Sequence, residues 1–150
     1  MPAFSVKKIL CPVDFSYNSE QVAQYAASVA KSFGASLELL YISPVLSDIG
    51  GHHEVDPQKI RSLEQDIFSG SSAIMDRFIK DNASDVQATG KILMGNPAES
   101  ILQRAGEIGA DLLVIGTHGR KGVEHMLFGS VAEKVIRAAS IPVLVARGQG

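Results

Sequence analysis

The chain has 150 residues, 45% of them apolar, which suffices for one domain with a sizeable core. Its 14 Lys and Arg residues nearly balance 16 Asp and Glu residues, so a nucleic-acid binder that relies on a broad basic field is excluded. No apolar run approaches the roughly 18 residues that cross a membrane, and the first residues lack the apolar core of a signal peptide. With Cys11 as the single cysteine, these features predict a cytoplasmic protein without an intrachain disulfide.

The first two predicted elements are a strand and a helix. Residues 8–13 are predominantly apolar and read as a strand, whereas residues 18–33 carry apolar side chains at helical spacing. We expect Asn18, with Gln21 three residues later, to form the starting cap of this helix. Gly34 suits its end, because glycine adopts the left-handed conformation common after a helix.

A second strand and the longest helix follow. Residues 36–42 are predicted to be a strand, and Asp56 followed by Pro57 is typical of a helix start. The apolar positions of this helix at helical spacing are Ile60, Leu63, Ile67, Ile74 and Phe78. Residues 70–72, Gly-Ser-Ser, weaken its middle and predict a bend there. Residues 86–94 are the third predicted strand.

The next helix has the clearest boundaries in the sequence. Asn96 provides a cap, Pro97 fits the first turn, and Glu99 stands where a capping-box acid is expected. Gly109 ends the helix, with an apolar face formed by Ile101, Leu102, Ala105 and Ile108. A fourth strand, apolar on both faces, is predicted at residues 112–115.

The last helix begins near Ser130, and residues 142–146 are the fifth predicted strand. Five strands that alternate with four helices indicate an α/β fold, with a parallel sheet between two helix layers. We predict a single Rossmann-like domain over residues 1–150 with strand order 3-2-1-4-5. Ligands of such folds bind at the carboxyl ends of the strands, where the strand order reverses.

A glycine-bearing segment leaves the carboxyl end of the fourth predicted strand. Gly116 and Gly119 allow backbone amides to approach an anion closely, and Gly129 with Ser130 opens the next helix. The unpaired N–H groups at a helix N-terminus attract phosphate, so the segment predicts a phosphate site. The alternative is a loop whose glycines serve only its turns, with Ser130 merely capping the helix.

Asp14 follows the first strand directly and should face the same crevice as Gly116 when strands one and four are neighbours. An acidic side chain there can meet a ribose hydroxyl, a base amine or a bound Mg²⁺. The alternative is that Asp14 only supports the start of the following helix through Asn18.

The spacing of Gly116-x-x-Gly119, nine residues, then Gly129-Ser130 resembles the glycine signature of the ATP-binding universal stress proteins. Residues 13–16 (Val-Asp-Phe-Ser) and 142–145 (Pro-Val-Leu-Val) are also similar to that family, and the resemblance covers the whole chain. It implies nucleotide contacts at Pro12, Asp14, Ile42, Ile115, Gly116, His118, Gly119, Gly129, Ser130 and Val131. In that mapping the backbone at Ile42 meets adenine, Gly116 and Gly119 lie near the ribose and phosphates, and residues 129–131 hold phosphate.

The resemblance implies a regulatory protein that binds ATP with Mg²⁺ and changes its interactions with a protein partner according to its nucleotide state. We predict no catalytic residue, no other metal site and no binding to nucleic acid or membrane. The alternatives are a slow ATP-hydrolysing enzyme and an interaction module without a ligand. The predicted fifth strand is an apolar edge without a charge, and such edges pair with other chains, so we expect a homodimer through residues 142–146.

Overall fold

The computed structural model describes residues 3–43, 56–117 and 129–147. Its five strands are β1 (Lys8–Val13), β2 (Ser36–Ser43), β3 (Ala88–Met94), β4 (Leu112–Gly116) and β5 (Val143–Ala146). Its helices in the described residues are α1 (Tyr17–Phe33), α2 (Pro57–Asn82), α3 (Pro97–Ile108) and α4 (Ser130–Ala138). The strands form one parallel sheet in the order β3-β2-β1-β4-β5, which confirms the predicted fold class and strand order.

Two apolar layers enclose the sheet, as expected when a parallel sheet is covered on both faces. One layer joins alternate β1 and β2 residues to α1 and α2. Its most buried members include Ile9, Cys11, Leu37, Leu39 and Met75. The other layer joins Leu10, Leu40 and Leu113 to α3 and α4. Cys11 is therefore a core residue, and burial raises the pKa of its thiol to about 12. No helix in the described ranges has the length and apolarity that a membrane span needs.

The helix boundaries confirm most of the predicted caps and correct one. Asn96 caps α3 by accepting a hydrogen bond from the Glu99 N–H at 3.2 Å, and Gly34 ends α1 in the left-handed conformation. The prediction that Asn18 caps α1 is wrong. The cap is Ser16, whose Oγ accepts a hydrogen bond from the Ser19 N–H at 3.2 Å.

Helix α2 is longer than the sheet can cover. It runs without interruption through residues 70–72 and spans roughly 39 Å at 1.5 Å per residue. Its buried residues are Ser71, Met75 and Phe78, all beyond its midpoint. Leu63 and Ile74, which share the predicted apolar spacing, are each about half exposed. Their spacing predicts the helix correctly, but it does not identify the side that packs on the sheet.

Two carboxylates make polar contacts that hold elements of the fold together. Glu38 of β2 accepts two hydrogen bonds from the Arg104 guanidinium of α3, at 2.7 and 2.8 Å, and both side chains are largely shielded from solvent. This fork-like pair holds α3 against β2. At the amino ends of the strands, Asp111 accepts hydrogen bonds from the backbone N–H groups of Lys7 and Lys8, which lowers the pKa of its carboxyl.

The close packing of α2 on the edge strand β3 generates a stability prediction. A Cβ built on Gly90 of β3 overlaps Cγ of the buried Met75, whereas a Cβ on Gly70 of α2 meets no described atom within 4 Å. We expect Gly90→Ala to lower the free energy of unfolding by about 1–3 kcal/mol, because Met75 must repack. Gly70→Ala is the matched control and should raise it by about 0.5–1 kcal/mol through helix propensity. Urea unfolding of both variants checks this, and an unchanged Gly90→Ala midpoint would contradict the packing described.

Candidate functional site

A cleft of about 400 Å³ opens at the carboxyl ends of the strands. It forms where β1 and β4 separate, because their backbone pairing is confined to Ile9 with Leu112 and Leu10 with Leu113. Pro12 follows this short ladder and has no N–H group to extend it. The cleft therefore lies at the switch point of strand order, where ligands of such sheets bind.

Eight of the ten residues predicted for the site line this cleft. They are Pro12, Asp14, Ile42, Ile115, Gly116, Gly129, Ser130 and Val131. They come from four separate parts of the sequence, namely the ends of β1, β2 and β4 and the start of α4. The remaining two, His118 and Gly119, lie outside the described residues, as does the rest of the loop between β4 and Gly129.

The cleft also contains residues that the sequence did not identify. They are Val13, Ser19, Val22, Leu40, Pro97, Ile101, Thr117, Ala132 and Val135. Pro97 and Ile101 belong to α3, whose position over the cleft depends on packing that the sequence does not reveal. Leu40 lies on the face of the sheet that α3 and α4 cover. It stands two residues before Ile42, so both side chains lie on the same face of the strand, and this is the sequence signal that could have identified it.

The turn between β1 and α1 holds the Asp14 carboxylate in a network of short hydrogen bonds. Asp14 Oδ1 accepts one bond from the Ser16 N–H at 2.9 Å and one from the Ser19 hydroxyl at 2.8 Å. The Asp14 N–H in turn donates to Ser19 Oγ at 2.8 Å. Asp14 thus supports the start of α1, through Ser16 and Ser19 rather than through Asn18, and it also lines the cleft.

Phe15 gives this turn its shape. Its φ of 65° is the one left-handed value of a non-glycine residue in the described ranges, and such a conformation costs roughly 1–2 kcal/mol. Two ring contacts compensate for that cost. The Phe15 ring stacks on Tyr41 with centroids 4.6 Å apart and makes an edge-type contact with the Phe78 ring, whose centroid lies 5.5 Å away. The contacts tie the turn that carries Asp14 to β2 and α2.

The N-terminus of α4 forms the opposite wall. Gly129 precedes the helix with φ 29° and ψ 153°, and no side chain caps the first turn within the described residues. The first N–H groups of α4 have no partner inside the helix, so they are donors with a partial positive charge beside the cleft. Such a terminus suits an anion, and the Ser130 hydroxyl adds a further donor.

The described lining contains one ionisable side chain, Asp14. Among the described lining residues, the groups that could donate to an anion are therefore neutral, and the Asp14 carboxylate lies close by. No group of three or more His, Cys, Asp or Glu side chains suited to a metal ion occurs within the described ranges. Of the described lining residues, Asp14 alone offers a carboxylate to a divalent cation.

Comparison with known proteins identifies relatives of similar length. A profile of the universal stress protein family matches residues 5–147. Universal stress protein MJ0531 of Methanocaldococcus jannaschii is 36% identical over 143 residues, which cover 94% of this chain and 82% of that protein.

Two solved structures share the fold. Protein MJ0577 of the same organism superposes with a TM-score of 0.81 at 25% identity and covers 97% of this chain and 98% of its own. A universal stress protein of Archaeoglobus fulgidus in complex with dAMP has a TM-score of 0.56 at 21% identity, over 95% of this chain and 98% of its own.

Because the Phe15 backbone is left-handed, we expect glycine to be tolerated better than alanine at this position. Phe15→Ala should lower the free energy of unfolding by about 3 kcal/mol, because both ring contacts disappear while the left-handed backbone remains. Phe15→Gly should cost about 1 kcal/mol less than Phe15→Ala, because glycine adopts this φ without strain.

Phe33 in α1 is the matched control for this pair. Alanine is the better helix former there, so Phe33→Gly should be less stable than Phe33→Ala. The difference should be below the roughly 1 kcal/mol of a helix interior, because Phe33 is the last residue of α1. Chemical denaturation of the four variants measures both differences. The same order at both positions would show that the Phe15 backbone is not strained.

Proposed function

This chain belongs to the universal stress protein family, and we propose that it is a regulatory protein that binds ATP with Mg²⁺ in the cleft between β1 and β4. The observation that carries the proposal is the convergence of the eight described contact residues on one cleft at the switch point of the sheet. His118 and Gly119 complete the proposed contact set. The proposed setting is the cytoplasm, with nucleotide occupancy changing the surface offered to a partner protein.

The two ends of the cleft differ in the way that a nucleotide requires. Leu40, Ile42, Pro97 and Ile101 make the side next to β2 and α3 apolar, which suits a base. On the side next to β4, Gly116 and the start of α4 offer backbone amides and the Ser130 hydroxyl, which suit phosphates. Asp14, at the end of the intervening strand β1, lies between them.

The dimensions and the relatives support the same ligand class. A volume of about 400 Å³ falls in the usual range of small-molecule sites, roughly 300–1,000 Å³. The dAMP complex of the relative from Archaeoglobus fulgidus supports an adenine nucleotide in a site built on this fold. Mg²⁺ would neutralise the triphosphate beside the Asp14 carboxylate.

Gly129 provides the test of the binding site. We expect Gly129→Arg to abolish ATP binding, because a side chain at the N-terminus of α4 would displace phosphate from the helix amides. Isothermal titration calorimetry with Mg-ATP measures the affinity. Circular dichroism establishes that the variant is folded.

Gly34→Arg is the matched control, because Gly34 also has a positive φ (66°) and open space around its Cβ position. It adds the same charge at another glycine of positive φ, at the end of α1 and away from the carboxyl edge of the sheet. It should lose stability and retain affinity. Unchanged affinity of a folded Gly129→Arg variant would rule out the proposed site.

We further propose that the chain forms a homodimer through residues 142–146. Strand β5 is an edge of the sheet, and Leu144 remains 37% exposed on it. Strand β3 forms the other edge but carries Lys91, and a charge on an edge strand discourages pairing. A two-fold contact between β5 strands would complete the ladder and cover Leu144.

Light scattering at micromolar concentration should give twice the chain mass. Leu144→Lys should shift the mass towards that of the monomer, because two like charges would face each other across the two-fold axis. Thr89→Lys adds the same charge to the exposed edge strand β3 and should leave the dimer intact. A monomeric mass for the unmodified protein would refute the proposed assembly.

A further inference from the structure

The two oxygens of the Asp14 carboxylate differ in their hydrogen bonds within the described residues. Oδ1 accepts two hydrogen bonds, from the Ser16 N–H and the Ser19 hydroxyl. No described residue donates to Oδ2. An ionised carboxylate only accepts hydrogen bonds, so Oδ2 is an acceptor that would be matched by a ligand donor.

The order of the strands indicates which ligand donor reaches Asp14. A nucleotide with its base near Ile42 after β2 and its phosphates near Gly116 after β4 must place its sugar across the end of the intervening strand β1. Asp14 is the first residue after β1. The donors of the sugar are its 2′ and 3′ hydroxyl groups, whereas the amino group of adenine lies at the far end of the base.

Ser19 restrains the Asp14 carboxylate through two hydrogen bonds. Its hydroxyl exchanges two hydrogen bonds of 2.8 Å with Asp14, accepting one from the N–H and donating one to Oδ1. Ser19 lies inside α1 and is only 7% exposed, so its position is fixed by the packing of the helix. Without this hydroxyl, one of the two bonds that prevent rotation of the carboxylate about χ2 disappears.

We propose that Ser19 is a positioning residue that sets the sugar selectivity of the site, by orienting Asp14 Oδ2 towards a ribose hydroxyl. This inference rests on the proposed function, because it requires a nucleotide in the cleft. The inference goes beyond the proposed function, because it attributes the selectivity between ribose and deoxyribose to Ser19, a residue of α1 that need not touch the ligand. A hydrogen bond to a charged group is worth about a tenfold or larger change in affinity.

The experiment compares ATP with 2′-deoxy-ATP and 3′-deoxy-ATP by calorimetry at constant Mg²⁺. The unmodified protein should bind at least one deoxy analogue about tenfold more weakly than ATP. Ser19→Ala should reduce that ratio of affinities to within about twofold. We expect its affinity for ATP to fall, while its affinity for the disfavoured analogue stays close to that of the unmodified protein. Ser19→Thr retains the hydroxyl and should restore the ratio.

Ser16→Ala is the matched control. It removes the side-chain cap of α1 but keeps the backbone N–H that Asp14 accepts. It should lower the melting temperature and leave the sugar selectivity unchanged. If Ser19→Ala does not fold, Ser19→Cys retains the size of the side chain with a much weaker donor, and its ratio should fall as well.

The outcomes separate the two proposals. Equal affinities of the unmodified protein for ATP and both deoxy analogues would overturn the role of Ser19 while leaving nucleotide binding intact. A Ser19→Ala variant that loses the same factor for all three ligands would also overturn it, since that pattern indicates a structural role or an Asp14 that binds Mg²⁺. Failure of the unmodified protein to bind ATP at all would reject the proposed function, and the inference with it.

Discussion

The early separation of β1 from β4 is the constraint on which the site depends. The two strands pair over two residues each and then diverge, with Pro12 two residues beyond the last pair. Continued pairing would have closed the sheet where the cleft now opens. Because the chain leaves β1 towards α1 on one face and reaches α4 on the other, the divergence also creates two walls of different chemistry. One wall carries the Asp14 carboxylate and the other the open N-terminus of α4.

The fold was predictable because its signals are local and repeated. Each of these signals depends on residues that are close in sequence. Examples are the start of α3 at Asn96 and Pro97 and the helix ends at Gly34 and Gly109. The strand limits differed from prediction by at most two residues, as at β3, which begins at Ala88 rather than at residue 86. The start of α1 differed because Ser16 and Asn18 are both capping residues. The choice between them depends on the left-handed Phe15, which is stabilised by Tyr41 and Phe78 from distant segments.

The site was predictable where a residue follows a strand and unpredictable where packing brings it in. Asp14, Ile42 and Gly116 lie at strand ends, so the topology alone gathers them at one edge. Pro97 and Ile101 reach the cleft because α3 is anchored over β2, and the Arg104–Glu38 pair that anchors it joins residues 66 positions apart. Similarly, the exposure of Leu63 and Ile74 shows that tertiary packing selects the buried residues of α2, which are Ser71, Met75 and Phe78. The apolar spacing within the helix does not encode that choice.

The electrostatics of the cleft link its structural and proposed functional roles. A lone carboxylate beside an anion site would ordinarily weaken phosphate binding. Asp14 is tolerated because two donors from the α1 turn already satisfy Oδ1 and keep the carboxylate next to β1, one strand away from the N-terminus of α4. The hydrogen bonds that Oδ1 accepts at the start of α1 therefore also hold the negative charge beside β1. One side chain thus supports the start of α1 and also lines the cleft, so the two interpretations of Asp14 that the sequence leaves open are compatible.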